Sequence, residues 1–139
     1  MKKSIACIIY NQLEHKIFIA KRIPVGEMGS KWEFPGGKIE NNEDEKSAIV
    51  REMQEEFNVK AFVQQKITET TFQYHNQDVL LEAYEVTFEH DGIKTKFDLT
   101  EHTEYCWTDI EKIPNLDFVD SDMKIYPKVL AYIKEKYQK

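Results

Sequence analysis

The segment from Glu43 to Phe57 has two chemically opposed faces, and Gly36-Gly37 stands just ahead of it. Stepped at about 100° per residue as a helix, it places Glu52, Glu55 and Glu56 within an arc of about 100°. Ile49, Val50, Met53 and Phe57 fall on a separate arc of similar width. The spacing therefore predicts a helix with one core face and one acidic face. Asn42 is the expected N-cap, with Glu45 three residues on as a capping-box partner. Like charges at i,i+3 and i,i+4 repel, so a helix needing only solubility would alternate signs. Three clustered carboxylates next to a tight Gly-Gly bend are hard oxygen ligands suited to Mg²⁺ or Mn²⁺. Arg51 lies beside them, able to orient one.

The same residues carry a resemblance. Gly37, five residues, Glu43, seven residues, Arg51-Glu52-Met53-x-Glu55-Glu56 and then Asn58-Val59 resembles the Nudix box. The one departure is Asn58, where the family has Gly. A left-handed residue is wanted just past the helix, and Asn tolerates that conformation best after Gly. The run Trp32-Glu33-Phe34-Pro35-Gly36-Gly37-Lys38 is similar to the MutT-like branch of that family.

The resemblance implies an α/β (α+β) fold, with a mixed β-sheet sandwiched between two main helices. It implies Glu52, Glu55, Glu56 and the Gly36 carbonyl as ligands of Mg²⁺ or Mn²⁺, with Arg51 beside them. A downstream Glu reaches back to the metal in such proteins; Glu101 is the first choice here and Glu104 the second. Substrate contacts are implied for Arg22, Phe34, Gly37, Lys38, Phe72, Tyr74 and Asp122. Residue chemistry alone also allows Trp32 and Phe34 as core, and Phe72 and Tyr74 as a cross-strand pair or a stacking platform. It allows Asp120, Ser121 or Asp122 as caps of the last helix. His102 is read as a surface or structural His.

Along the chain, Ser4–Tyr10 and Lys16–Arg22 read as strands flanking a turn at Asn11–His15. Pro24–Lys31 is a polar loop. Residues 59–75 and 78–90 read as an antiparallel hairpin around Asn76-Gln77, with a further turn at Asp91-Gly92. A strand over Glu104–Trp107 and a helix over about Ser121–Lys136 follow, the helix with an apolar stripe of Met123, Tyr126, Val129, Leu130 and Ile133.

The 139 residues fit one domain, residues 1–139, with a real core. A net charge of −6 argues against a nucleic-acid polymer as partner, but not against a single nucleotide brought in with metal. Cys7 and Cys106 have no metal or redox spacing and read as buried free thiols. The apolar run after Met1-Lys2-Lys3 is short and lacks a cleavage site, so it reads as a strand, not a signal. The expectation is a cytoplasmic protein without membrane contact, monomeric or homodimeric.

Four carboxylates and a nucleoside triphosphate repel one another unless divalent cations stand between them. No Ser-His or Cys-His pair supplies a nucleophile, so water is the expected attacking group. By resemblance, the products are a nucleoside monophosphate and pyrophosphate, with Glu52 or Glu101 as general base. The expected substrate is an oxidised purine such as 8-oxo-dGTP, with a cytidine triphosphate second. Other readings are ADP-ribose, a dinucleotide or a sugar nucleotide, or a non-catalytic nucleotide-binding regulator.

Overall fold

The computed structural model describes residues 1–90 and 92–138. The expected turn residue Asp91 lies outside them. The described residues form eight strands and two helices in the order β1 (Lys2–Ile8), β2 (Tyr10–Asn11), β3 (Lys16–Arg22), β4 (Trp32–Glu33), β5 (Gly36–Lys38), α1 (Glu45–Phe57), β6 (Ala61–Tyr74), β7 (Gln77–Phe88), β8 (His102–Thr108) and α2 (Asp120–Tyr137). A short 3₁₀ helix, Ile110–Asn115, precedes α2.

The strands form two sheets. One has the order β5-β1-β7-β6 and is mixed: β1 runs parallel to β7, and the other pairs are antiparallel. In the other, β3 carries β2 and β4 on one edge and β8 on the opposite edge, all antiparallel.

The apolar run at the N-terminus becomes legible here. Ala6, Ile8 and Tyr10 enter one core with Ile125, Tyr126, Val129 and Ile133 of α2. Ile5, Cys7 and Ile9 enter another with Ala48, Ile49, Met53 and Phe57 of α1. Successive strand residues point to opposite faces, so a strand between two helices must be apolar throughout. β3 does the same, sending Ile17 and Ile19 to the α2 side and Phe18 and Ala20 to the α1 side. This is the sandwich that the family resemblance implied. Among the described residues no helix is long and apolar enough to cross a membrane.

Several local expectations are corrected. Helix α1 begins at Glu45, capped by Asp44, whose side chain accepts from Ser47 N at 2.7 Å. Asn42 instead adopts φ 66° in the preceding turn. Glu43 lies ahead of the helix, with both its oxygens bonded by Arg51. The buried arc of α1 is also rotated from the one expected: Ala48 and Glu56 are inside, and Val50 is 42% exposed. Glu56 lies only about 20° from Ile49 on the helical wheel, so tilting the helix toward the sheet sweeps it under. The β6–β7 turn falls one residue earlier than expected, at His75-Asn76, both with positive φ. That is the backbone required by a two-residue hairpin matching strand twist. Asn58 does take the left-handed conformation (φ 52°, ψ 46°), and its N–H returns to the Gln54 carbonyl. Cys7 is buried, but Cys106 is only partly so.

Away from α1, β7 places Glu85 in the interior against α2. Tyr132 Oη and Lys136 Nζ each donate to it at 2.6 Å, and Tyr137 Oη also donates. Burial alone would raise this carboxyl's pKa, but the bonds from Lys136, Tyr132 and Tyr137 outweigh that and hold it below the ordinary value.

Candidate active site

The acidic group is assembled from α1, from β5 beside it and from the loop before β8. Gly36 and Gly37 pair with Ala6 and Ile5 of β1. A β-carbon at Gly36 would fall onto the Ile5 carbonyl, and one at Gly37 would lie 2.6 Å from Glu52 Oε1. A side chain at Gly36 is therefore excluded by the strand backbone, whereas one at Gly37 would have to displace the Glu52 carboxylate.

Arg51 organises the exposed rim. Its Nε and Nη2 bond both oxygens of Glu43 at 2.7 and 2.9 Å. Nη1 reaches Glu52 at 2.8 Å and Glu55 at 3.2 Å, and Nη2 reaches the Lys38 carbonyl at 3.0 Å. One guanidinium thus ties helix, turn and β5 together. Its bonds lower the Glu43 pKa to about 2, the Glu40 backbone N–H adding to the effect.

Glu52 is half-buried, and its pKa is raised by that burial, against the pull of Arg51; the charges of Glu55 and Glu101 add to the rise. Glu56 is 3% exposed, and its Oε2 has no hydrogen-bond partner among the described residues. Burial raises its pKa to about 10, and the charges of Glu52, Glu33 and Glu101 add to this. Glu101 lies within hydrogen-bonding reach of Glu56. Its loop is fastened to the helix by Thr100, whose hydroxyl donates to the Glu55 carbonyl at 3.0 Å. Glu104, the second choice for that role, sits on β8 with Lys21 at 3.6 Å.

These residues fit a divalent cation. Glu52 and Glu101 stand close to Glu56, whose buried Oε2 has no hydrogen-bond partner among the described residues. Among the described residues no three acid, His or Cys side chains are already drawn together as a ready chelate. Arg51 holds Glu52 and Glu55 in ion pairs instead.

The expected substrate residues are more dispersed. The Phe34 side chain is core, packed edge-on against Phe118 at 5.1 Å, so it offers no stacking face to a ligand. Its backbone N–H is held at 2.9 Å by Oδ2 of Asp122, which is 5% exposed. Asp122 is therefore not a helix cap, and neither are Asp120 and Ser121: the N-cap is Val119, with no side-chain capping bond. Burial raises the Asp122 pKa to about 8, with the charge of Glu33 adding to it. Phe72 leans into the α2-side core, whereas Tyr74 is 49% exposed at the hairpin end, its ring 6.0 Å from Lys38 Nζ. The two do not form one platform.

A second polar group was not anticipated. Glu33 binds Arg22 Nη1 at 3.1 Å and His102 Nε2 at 2.8 Å. His102 is buried, not a surface residue, and stacks on Phe57. Its position follows from strand register, which no local spacing discloses.

Comparison with known proteins agrees with this architecture. The model of the NUDIX domain matches residues 1–129. An 8-oxo-dGTP diphosphatase of Proteus vulgaris is 43% identical over 58 residues, 42% of this chain and 52% of that protein; the match spans about half the length of that relative. A CTP pyrophosphohydrolase of Escherichia coli (strain K12) is 26% identical over 131 residues, 94% of this chain and 93% of that protein. Among solved structures, the E. coli ORF135 protein superposes with a TM-score of 0.81 at 24% identity, over 98% of this chain and 93% of that one. A MutT protein from Methanosarcina mazei Go1 gives 0.78 at 21% identity, over 97% and 96%. With its domain model running over nearly the whole chain and its fold shared with these structures, the protein belongs to the Nudix family.

Proposed function

We propose that this Nudix pyrophosphohydrolase acts on a nucleoside triphosphate, with Mg²⁺ or Mn²⁺, and releases a nucleoside monophosphate and pyrophosphate. The observation that carries the reading is Glu56: a buried acid with an unsatisfied oxygen, flanked by Glu52 and Glu101. An acid kept out of water among other acids has no structural benefit of its own. A divalent cation there supplies the positive charge that lets polyphosphate and carboxylates meet. The protein's own part is orientation and proton handling. Arg51 holds Glu52 and Glu55 at the rim, and Gly37 leaves room for the Glu52 carboxylate. Glu56 gives up its proton when the site is loaded. Water opens the anhydride between the α and β phosphates, and Glu52 or Glu101 accepts its proton.

For the base we favour 8-oxo-dGTP, on the MutT-like run Trp32 to Lys38 and on Asp122. With a pKa near 8, Asp122 is a carboxylic acid at neutral pH, able to donate as well as accept. A cytidine triphosphate is the second reading, favoured by the similarity along 94% of the chain to a CTP pyrophosphohydrolase. The test is a panel of 8-oxo-dGTP, dGTP, dCTP, CTP, ADP-ribose and a dinucleotide with metal, scored for pyrophosphate against phosphate release. Pyrophosphate from a triphosphate is the expected result. Turnover confined to ADP-ribose or the dinucleotide would overturn it.

A further inference from the structure

Glu33 stands between the two ends of the site and belongs to neither. Residues Ala20 and Glu33 are partners in the β3–β4 pairing, and Arg22 and His102 are partners in the β3–β8 pairing. All four lie on one face of the sheet. Ala20 carries only a methyl group, so the Glu33 carboxylate can cross over β3. There its oxygens divide, one accepting from Arg22 and the other meeting His102.

The β3–β8 register makes this meeting possible. Lys21 faces Glu104, but the next residue, Arg22, faces His102, leaving Thr103 as an extra residue on β8. A bulge shifts every following side chain to the other face, and bulges next to active sites re-aim side chains. Without this one, Arg22 would face Thr103, and the His102 ring would turn away from Glu33. Glu101 immediately precedes His102, so the anchor of the imidazole also sets where Glu101 stands against Glu56.

The hydrogen-bond inventory is incomplete in an informative way. A carboxylate only accepts, so His102 presents Nε2–H to it, and the buried Nδ1 has no hydrogen-bond partner among the described residues. The ring is pinned on its flat side by Phe57, at 5.4 Å and 15°. Arg22 bonds Glu33 through Nη1, while its buried Nε has no partner. A guanidinium held at one nitrogen keeps donors in hand for an anion.

We propose that Glu33 is a positioning residue with two separate effects: it holds Arg22 as the cation that receives the substrate's phosphates, and through His102 it holds Glu101 beside Glu56. This rests on the triphosphate reading above for its substrate, not for its geometry.

The test is a pair of double-mutant cycles. Arg22→Ala alone should raise KM, and the Kd of an α,β-methylene nucleoside triphosphate, with little change in kcat. His102→Gln alone should lower kcat with little change in KM. Glu33→Gln, nearly isosteric, should do both, each by about tenfold, the scale typical of groups that orient ligands. In the Arg22→Ala background Glu33→Gln should leave KM and Kd unmoved. In the His102→Gln background it should leave kcat unmoved. Additive effects in both cycles, or a Glu33→Gln protein that only melts earlier, would overturn the proposal. So would single variants of Arg22 and His102 that shift the same parameter. If the wild type acts on a diphosphate-linked nucleotide and on no triphosphate, the substrate reading fails while the same cycles, run on that nucleotide, still decide the role of Glu33. Side-chain ¹⁵N NMR of the metal-free wild type decides it without turnover: a His102 ring with no proton on Nε2 excludes the clamp.

Discussion

The Glu52 carboxylate occupies the space that a side chain on Gly37 would fill, with Oε1 2.6 Å from the position of its β-carbon. Gly37→Ala is therefore a substitution on Glu52 by displacement. It should lower kcat/KM by roughly 10- to 100-fold, as expected when a ligand-bearing group is moved rather than removed. Steady-state kinetics at saturating Mg²⁺ check this. Wild-type turnover would mean that Glu52 works from another position.

Glu56→Gln should separate stability from activity. The folded-state pKa of Glu56, about 10, lies above its ordinary 4.5. The folded protein keeps a proton that the unfolded chain releases, so this residue's contribution declines as pH rises from about 4.5 toward 10. Gln does not titrate. The metal-free variant should lose less Tm than wild type between about pH 6 and pH 9, while activity falls by at least about 100-fold. Equal pH slopes would show that Glu56 is ionised in the metal-free protein.

Glu85 should behave in the opposite sense. Its pKa is lowered on folding, so its stabilisation is present above the unfolded value and lost as pH falls through the folded one. Glu85→Gln should cost roughly 1–3 kcal/mol at neutral pH, through weakened bonds from Tyr132, Lys136 and Tyr137. The gap should close in acid. Urea midpoints at pH 7 and near pH 3 measure it.

Asn58 ends α1 in the left-handed region and also bonds Gln54 Nε2 at 2.7 Å and Asp98 at 3.2 Å. Asn58→Gly relieves the backbone but loses those contacts, so its net effect should be within about 1 kcal/mol of zero. Asn58→Val should cost about 1–2 kcal/mol, since a β-branched residue is strained there. Thermal melts that rank Val with Asn would contradict this.

Asp122→Ala should act twice. Loss of the acceptor for Phe34 N–H should destabilise by about 1–3 kcal/mol. The ratio of kcat/KM among 8-oxo-dGTP, dGTP and dCTP should also shrink, with metal dependence unchanged. A preserved ratio would confine Asp122 to supporting Phe34.

What could be read from the chain was what repeats at fixed short spacing. The i,i+3,i+4 pattern of Glu52, Glu55 and Glu56 marked the helix, the apolar runs of β1 and β3 marked buried strands, and Asn58 marked the helix end. The burial of Glu56 was missed because it sits at the seam between the two arcs, where 20° of tilt decides inside from outside. Asp122 meets Phe34 across 88 residues, and His102 meets Glu33 across 69. The second is a product of strand register and of the bulge at Thr103, the first of the bonds that tie the chain ahead of α2 to Trp32, and no local pattern encodes either. The cap is Asp44 and not Asn42 because Asn42 takes a left-handed turn conformation, while Asp44 has the extended backbone that an N-cap requires.

Because β1 turns Cys7 toward α1, its thiol is buried beneath the acids. Burial raises its pKa, and the charges of Glu56 and Glu52 add to that. A thiol that is neither ionised nor reachable does not react with peroxide or disulfide reagents. Its reaction requires that the α1-side core open. The chain thus carries its own clock for the opening of this layer: the rate at which a thiol reagent modifies Cys7 counts excursions out of the folded state, with no label added.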